Sequence, residues 1–241
     1  MYQTRKTYIK SNMRMFDMIN ENPLLLLLLE HLSVDFAIAD KTISRLCADE
    51  GIPEDTFLLM ANLYNGFYPA KEEIDKVTDI GLILRLLKSS HTFYKEDKYP
   101  EILSYLQQLE KKHDTESIRL IRGFFTDYFK EVLEHLDYEE NVAFPYFWAL
   151  IAGEKALPSG DFKAGEYREH HTDIETKLTD LKNILLKHVT IQDDLTLRRK
   201  LLNSLFELEF DLMIHSLIEE KILLPLVEKV EENRLHGKMQ D

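Results

Sequence analysis

The chain has 241 residues, of which 44% are apolar and 30% are charged, while only 8 are glycine and 7 are proline. Collagen-like, low-complexity and turn-rich all-β chains need more glycine and proline than this, so the composition favours a folded protein with long helices. The formal net charge of −13 argues against general binding to nucleic acid or anionic lipid, and the single cysteine, Cys47, excludes an intrachain disulfide.

The first 75 residues predict a small domain of short helices. Pro23 suits the first position of a helix that continues into six leucines at 24–29, a run far shorter than the roughly 20 apolar residues of a membrane span. Residues 21–75 are strongly acidic, whereas a helix-turn-helix DNA reader carries basic side chains. No apolar segment follows the basic residues near the start of the chain. We therefore expect a cytoplasmic protein with no membrane or nucleic-acid partner.

Long amphipathic stretches are predicted beyond the turn-forming residues 65–69. Their apolar residues recur at three- and four-residue spacing, as at Ile118 and Ile121, and short turn sequences separate them. The stretches cover 78–112, 116–150, 164–188 and 195–233. Four long helices with short connections form an up-down four-helix bundle. The sequence thus predicts an all-α protein with a small N-terminal helical domain over 1–75 and a bundle over 76–241.

An internal repeat links two segments that lie 80 residues apart. Each has a His, a Glu four and five residues later, and a Pro ten residues later. The segments are His135, Glu139, Glu140, Pro145 and His215, Glu219, Glu220, Pro225. The same offset relates His91 to His171, which favours His171 over its neighbour His170. One such pattern is a weak signal, but its recurrence with matching partners is hard to explain by chance.

The spacing of the repeat predicts a site for two metal ions. Residues four apart lie on one helix face, about 6 Å apart along the axis, so an imidazole and a carboxylate there can hold one ion. A glutamate has two oxygens and can bridge a pair of ions. The predicted set is His91, His135, Glu139, His171, His215 and Glu219. Glu140 and Glu220, one step off this face, are expected to be surface charges or acceptors for the ligands.

His113 is a candidate fifth histidine ligand. Two octahedral ions offer about 12 positions, and four imidazoles, two bridging glutamates and a bridging oxygen leave two of these open. A fifth imidazole would leave one opening, which suits end-on binding of O₂, nitric oxide or peroxide. On a straight helix, however, His113 would lie about 33 Å from His91. It can join the site only if the chain bends or reverses between them.

The donor types point to iron. The set contains nitrogen and oxygen donors and no thiolate. Structural zinc prefers closed sites with four ligands, often including cysteine, and magnesium and calcium prefer oxygen. We therefore expect two iron ions joined by an oxo or hydroxo bridge, with manganese or mixed metals as alternatives.

These motifs resemble the hemerythrin-like (HHE cation-binding) domain over about residues 78–235. The whole chain also resembles the iron–sulfur cluster repair (repair of iron centres) family of di-iron proteins, which has a short N-terminal helical domain. Residues 33–43 resemble a characteristic segment of that domain, and 109–114 resemble the stretch that carries the family's extra histidine. The ligands implied by the resemblance are His91, His113, His135, Glu139, His171, His215 and Glu219.

The chain departs from the repair family at one place. The family's N-terminal segment usually contains adjacent cysteines followed by glycines, whereas this chain has Ala37, Ile38, Ala39 and Asp40 there. Cys47 lies further along, inside a predicted helix, and is expected to be a buried small hydrophobic residue. A thiol-dependent step is therefore not expected here, although the di-iron site is.

Three functions are consistent with these patterns. The first is a di-iron protein that binds O₂, nitric oxide or peroxide, or exchanges iron, in iron–sulfur cluster repair or in the response to nitrosative or oxidative stress. Iron–sulfur proteins would then be partners, and the N-terminal domain could form a homodimer. The second is an O₂ or redox sensor or carrier that acts through a protein partner without catalysis. The third is a structural bundle with incidental His–Glu pairs. Whether the protein is an enzyme stays open, and no catalytic residue is assigned.

Overall fold

The computed structural model describes residues 6–154, 158, 163–169, 174–189 and 194–237. Within these ranges the regular secondary structure is helical and there is no strand, which confirms the predicted all-α class. In the same ranges, no helix combines the length and the apolar character that crossing a membrane requires.

The helices follow one another in a simple order along the chain. They are α1 (Met15–Glu21), α2 (Leu25–His31), α3 (Ile43–Glu50), α4 (Glu54–Tyr64), α5 (Lys71–Ile74), α6 (Ile80–Phe93), α7 (Tyr99–His113), α8 (Glu116–Tyr138), α9 (Phe144–Ile151), α10 (Ala164–Glu169), α11 (Ile174–Lys187), α12 (Leu195–Ile218) and α13 (Leu224–Gly237). Three π-helical segments, Tyr94–Lys98, Glu139–Ala143 and Glu219–Leu223, join α6 to α7, α8 to α9 and α12 to α13.

Three of the four predicted long stretches are confirmed as continuous helical paths. The first, second and fourth run without a break over 80–113, 116–151 and 195–237, because each π segment continues the helix on both sides. The third stretch contains α10 and α11, with residues 170–173 outside the described part of the chain.

Proline explains the three π segments. Pro100, Pro145 and Pro225 each lie six residues after the first residue of a π segment. A proline inside a helix has no N–H to donate, and its ring meets the carbonyl four residues earlier. A wider turn at that carbonyl relieves both conflicts without ending the helix, and π turns of this kind are frequent at functional sites. As a result Glu139 and Glu219 are each the first residue of a π segment.

The chain divides into two compact units, which we describe separately. One comprises residues 1–89, 147–157 and 214–241, and the other comprises 90–146 and 158–213. The domain boundary expected near residue 75 stays a prediction.

The first unit contains the N-terminal helices. Leu25, Leu27, Leu28 and Leu29 are buried, so the leucine run is a core helix. The Asn62 side chain accepts a hydrogen bond from the backbone N–H of Ile9 (2.7 Å) and donates one to the Ile9 carbonyl (3.0 Å). The predicted burial of Cys47 is confirmed. Burial is the main cause that raises the pKa of its thiol to about 12, and the nearby negative charge of Glu54 raises it further.

In the second unit, segments of four helices contact one another in a closed ring. Tyr99 of α7 stacks on Phe129 of α8, with ring centroids 4.0 Å apart. The other neighbours are linked by side-chain contacts of Glu131 with Lys177 (α8 and α11), Thr179 with Glu209 (α11 and α12), and Ser204 with Glu101 (α12 and α7). This ring is the arrangement expected of a four-helix bundle.

Candidate metal centre

Helix ends bring the predicted ligands of the second unit into position. His91 lies in the last turn of α6 and His135 in the last turn of α8. Glu139 follows His135 by four residues and opens the π segment, so its side chain lies on the face of the helix that carries His135. The positions of these side chains therefore follow from the local sequence, in which a glutamate follows a histidine by one helical turn and a proline follows the glutamate.

The carboxylate of Glu139 lies between two imidazoles. Its Oε2 is 3.1 Å from Nε2 of His91, and its Oε1 is 3.1 Å from Nε2 of His135. Two ligand atoms that are about 2.1 Å from one ion and at right angles are about 3.0 Å apart, so each nitrogen–oxygen pair has the separation of neighbouring ligands. Each oxygen faces a different histidine, which is the arrangement that a carboxylate needs in order to bridge two ions.

The pKa of the Glu139 carboxyl is lowered although its side chain is completely buried. Burial alone would raise the pKa of this carboxyl, but hydrogen bonds from His135 and His91, together with their positive charge when protonated, lower the pKa well below its usual range. A bound metal ion would supply positive charge in place of the imidazole protons, and it would likewise favour the deprotonated carboxylate. The pair of imidazoles and the ionised carboxylate form a donor set of nitrogen and oxygen that fits a transition-metal ion.

Glu140 orients His91 from the opposite side. Its Oε1 lies 3.0 Å from Nδ1 of His91 and 2.5 Å from the ammonium of Lys95. Because a carboxylate only accepts hydrogen bonds, Nδ1 donates to Glu140, and Nε2, which faces Glu139, is the nitrogen that would bind a metal ion in place of a proton. The hydrogen bond with His91 is the main cause that lowers the pKa of Glu140, to about 2, with Lys95 adding to it. Of the two roles expected for Glu140, the structure supports the acceptor role.

Tyr167 is a member of the site that the sequence analysis missed. Its hydroxyl donates a hydrogen bond of 2.6 Å to Oε1 of Glu139, and both side chains are buried. The available signal was spacing, because Tyr167 precedes His171 by four residues and would share its face on a continuous helix. A single tyrosine in a helix otherwise looks like any core aromatic residue.

The second copy of the repeat lies in the first unit and has the same local form. Nε2 of His215 is 3.2 Å from Oε1 of Glu219, against 3.1 Å in the first copy. Glu219 again opens a π segment. His91, Glu139 and His215 are all buried, and each offers a ligand atom of the kind that holds a metal ion. The sequence repeat is therefore also a repeat of local structure.

His113, the candidate fifth histidine ligand, lies far from His91 along the helix. The helical path from His91 to His113 continues through the π segment without reversing, so about 33 Å of helix separates them. Nε2 of His113 instead lies 2.7 Å from Oδ2 of Asp194. The condition for a fifth histidine ligand, a bend or reversal of the chain, is not met. His171, with its neighbour His170, lies outside the described residues.

Comparison with known protein families adds an independent finding. The family model for the hemerythrin HHE cation-binding domain matches residues 83–227, well over half of the chain, and this range contains every predicted ligand. No curated protein matches the chain. The chain therefore belongs to the hemerythrin HHE cation-binding domain family, and its buried His and Glu side chains are those of a metal-binding protein.

Proposed function

We propose that this protein is a non-haem di-iron protein that binds a small diatomic or peroxidic ligand. The observation that supports the proposal is the position of Glu139, whose two oxygens each lie 3.1 Å from a different imidazole. A carboxylate held in this way can bridge two ions. The proposed ligands are His91, His135, Glu139, His171, His215 and Glu219, which the repeat relates in pairs. His113 is left out because of its distance along the helix.

The residues around the cluster suit this chemistry. Bound iron would supply the redox change and the open coordination position that a small ligand needs. The hydrogen bond of Nδ1 with Glu140 orients His91 so that Nε2 would be the ligand atom. Phe144 stacks on the His91 ring, with centroids 5.4 Å apart, and covers the imidazole with apolar surface. A buried site with few water molecules favours binding of neutral ligands such as O₂ and nitric oxide.

Cys47 bears on the biological role of the site. As the single cysteine, buried and with a pKa raised to about 12, it provides no reactive thiol. If the protein acts in iron–sulfur cluster repair or in a stress response, we propose that it does so through its metal site, by binding a ligand or exchanging iron with an iron–sulfur protein. The lack of a reactive thiol also favours the alternative, which is an O₂ or redox sensor or carrier that acts through a protein partner.

Two assays test the proposal. Nitric oxide or O₂ added to the iron-loaded protein should change its visible spectrum with saturation, and His135→Ala should lose this response. Purified protein should then be added to an iron–sulfur enzyme whose cluster has been damaged. Recovery of that enzyme with wild type but not with His135→Ala supports repair. Ligand binding without recovery supports the sensor or carrier, and an iron-loaded wild type that binds neither gas contradicts the proposal.

A further inference from the structure

The environment of Glu139 differs at its two oxygens. Oε2 faces His91, whereas Oε1 faces both His135 at 3.1 Å and the hydroxyl of Tyr167 at 2.6 Å. Tyr167 is only 1% exposed, so this hydrogen bond is made in a dry environment where it is stronger than in water. We propose that Tyr167 is a positioning residue of the metal site, one that holds the Glu139 carboxylate in the bridging orientation. The inference rests on the proposed di-iron function.

A glutamate needs such an anchor because its last side-chain torsion is soft. Rotation about the bond to the carboxylate has a broad energy profile, so two imidazoles alone leave the plane of the carboxylate poorly fixed. An oxygen of a carboxylate has two lone pairs. His135 and the hydroxyl of Tyr167 both lie within 3.1 Å of Oε1, so the O–H can take one lone pair while the other stays on the side of the imidazole. The hydroxyl therefore fixes the plane and leaves one lone pair of each oxygen for an ion.

The sequence repeat does not include a second tyrosine that corresponds to Tyr167. Moving back by the 80-residue offset from Tyr167 leads to Leu87, whose side chain has no hydroxyl. The matching position therefore provides no second tyrosine for Glu219. A Tyr167→Phe substitution removes the hydroxyl that contacts Oε1 of Glu139.

The hydrogen bond from Tyr167 should also affect which oxidation state of a bound iron ion the site favours. A donor to a metal-bound carboxylate withdraws electron density from it, which makes the carboxylate a weaker donor and favours the lower oxidation state of the ion. Loss of residues that hold metal ligands typically weakens metal affinity by about 10- to 100-fold. We therefore expect Tyr167→Phe to bind metal more weakly and to have a lower midpoint potential when loaded with iron.

The test compares Tyr167→Phe with Tyr105→Phe. Tyr105 donates a hydrogen bond of 2.9 Å to Glu101 on α7, so its variant also removes a phenol–glutamate bond, but away from the site. Affinity for Co²⁺ is measured by competition with a chelator, and the midpoint potential is measured on the iron-loaded proteins. A second variant, Tyr167→Leu, introduces the residue found at the matching position 87. Because it also lacks the hydroxyl, it should give the same result as Tyr167→Phe if the hydroxyl, and not the aromatic ring, is what matters.

The outcomes separate this inference from the proposed function. We expect Co²⁺ binding about 10-fold weaker or more, and a lower potential, for both Tyr167 variants, with Tyr105→Phe unchanged. Equal affinity and potential in Tyr167→Phe and Tyr105→Phe would overturn the positioning role while leaving the metal site intact. An intense visible band of ferric wild type that Tyr167→Phe loses would mean that the phenolate is itself a ligand, which also overturns it. Failure of wild type to bind metal would overturn the proposed function.

Discussion

Glu140 accepts a hydrogen bond from Nδ1 of His91 across 49 residues of sequence, at a distance of 3.0 Å. This contact orients the ring so that Nε2 faces Glu139. The ammonium of Lys95 lies on the same carboxylate oxygen and keeps it charged. His91 is thus held for binding by a pair of residues that would not themselves touch a metal.

Removing this carboxylate should weaken metal binding without abolishing it. We expect Glu140→Gln to lower the affinity for Co²⁺ by about 10-fold, because a glutamine leaves the imidazole less basic and its orientation less fixed. Glu220→Gln is the matched control, since Glu220 is the equivalent residue of the repeat and lies exposed beside Lys221. Chelator competition measures both variants. An unchanged affinity for Glu140→Gln would show that this contact has no part in metal binding.

His113 should be dispensable for the metal centre. We expect His113→Ala to keep the iron content of wild type, because a long helical path separates this residue from His91. His135→Ala should lose most of its iron, because it removes a ligand from Glu139's side of the site. Elemental analysis of the purified proteins measures the iron content of both variants and of wild type. A loss of iron in His113→Ala comparable with that in His135→Ala would restore His113 to the ligand set.

Asp194 should instead contribute to stability in a pH-dependent way. Hydrogen bonds from Lys112 and then His113 lower the pKa of this carboxyl. A carboxyl with a lowered pKa in the folded state stabilises the protein above the pKa of the unfolded chain, about 3.9, and this contribution disappears as the pH falls through the folded-state pKa. Asp194→Asn should therefore be less stable than wild type at neutral pH.

Chemical unfolding of the metal-free proteins between pH 7 and pH 3 measures this effect. The difference in unfolding free energy between wild type and Asp194→Asn should shrink as the pH falls, because a protonated Asp194 is neutral, like asparagine. A difference that stays constant over this range would exclude a role for the charge.

Cys47 should be unreactive in the folded protein. Its pKa, raised to about 12 by burial and then by the nearby Glu54 charge, leaves almost no thiolate at neutral pH. A disulfide reagent should therefore label native protein far more slowly than protein unfolded in guanidinium. Cys47→Ala should bind metal and small ligands as wild type does. Rapid labelling of the native state would reopen a thiol-dependent function.

The long helices could be predicted because their signal is local. Apolar residues such as Ile118 and Ile121 recur at helical spacing, and short turn sequences end each stretch. The repeat likewise placed His135 and Glu139 on one face from four-residue spacing alone. The position of His113 could not be decided in this way, since Pro100 permitted a bend. The structure shows that a π segment accommodates this proline, so the helix continues.

Contacts between distant segments were beyond the sequence. The pairing of His91 with Glu140 depends on how α6 packs beside the π segment after α8, and a charged residue one step off a ligand face is usually exposed to solvent. Tyr167 was missed for the same reason, because its partner Glu139 lies on another helix. Prolines six residues after Glu139 and Glu219 were visible, but their conversion into π turns follows from helix sterics that only the folded chain shows.

The iron content of wild type and of Glu139→Ala shows whether the Glu139 carboxylate is shared by two ions. Both proteins should be loaded with ferrous iron without oxygen, freed of excess metal and analysed for iron per chain, with circular dichroism confirming that both are folded. We expect two iron ions per chain for wild type and a clear loss for Glu139→Ala, because this carboxylate would bridge both ions. A folded wild type without iron, or a Glu139→Ala variant that keeps both ions, would contradict this expectation.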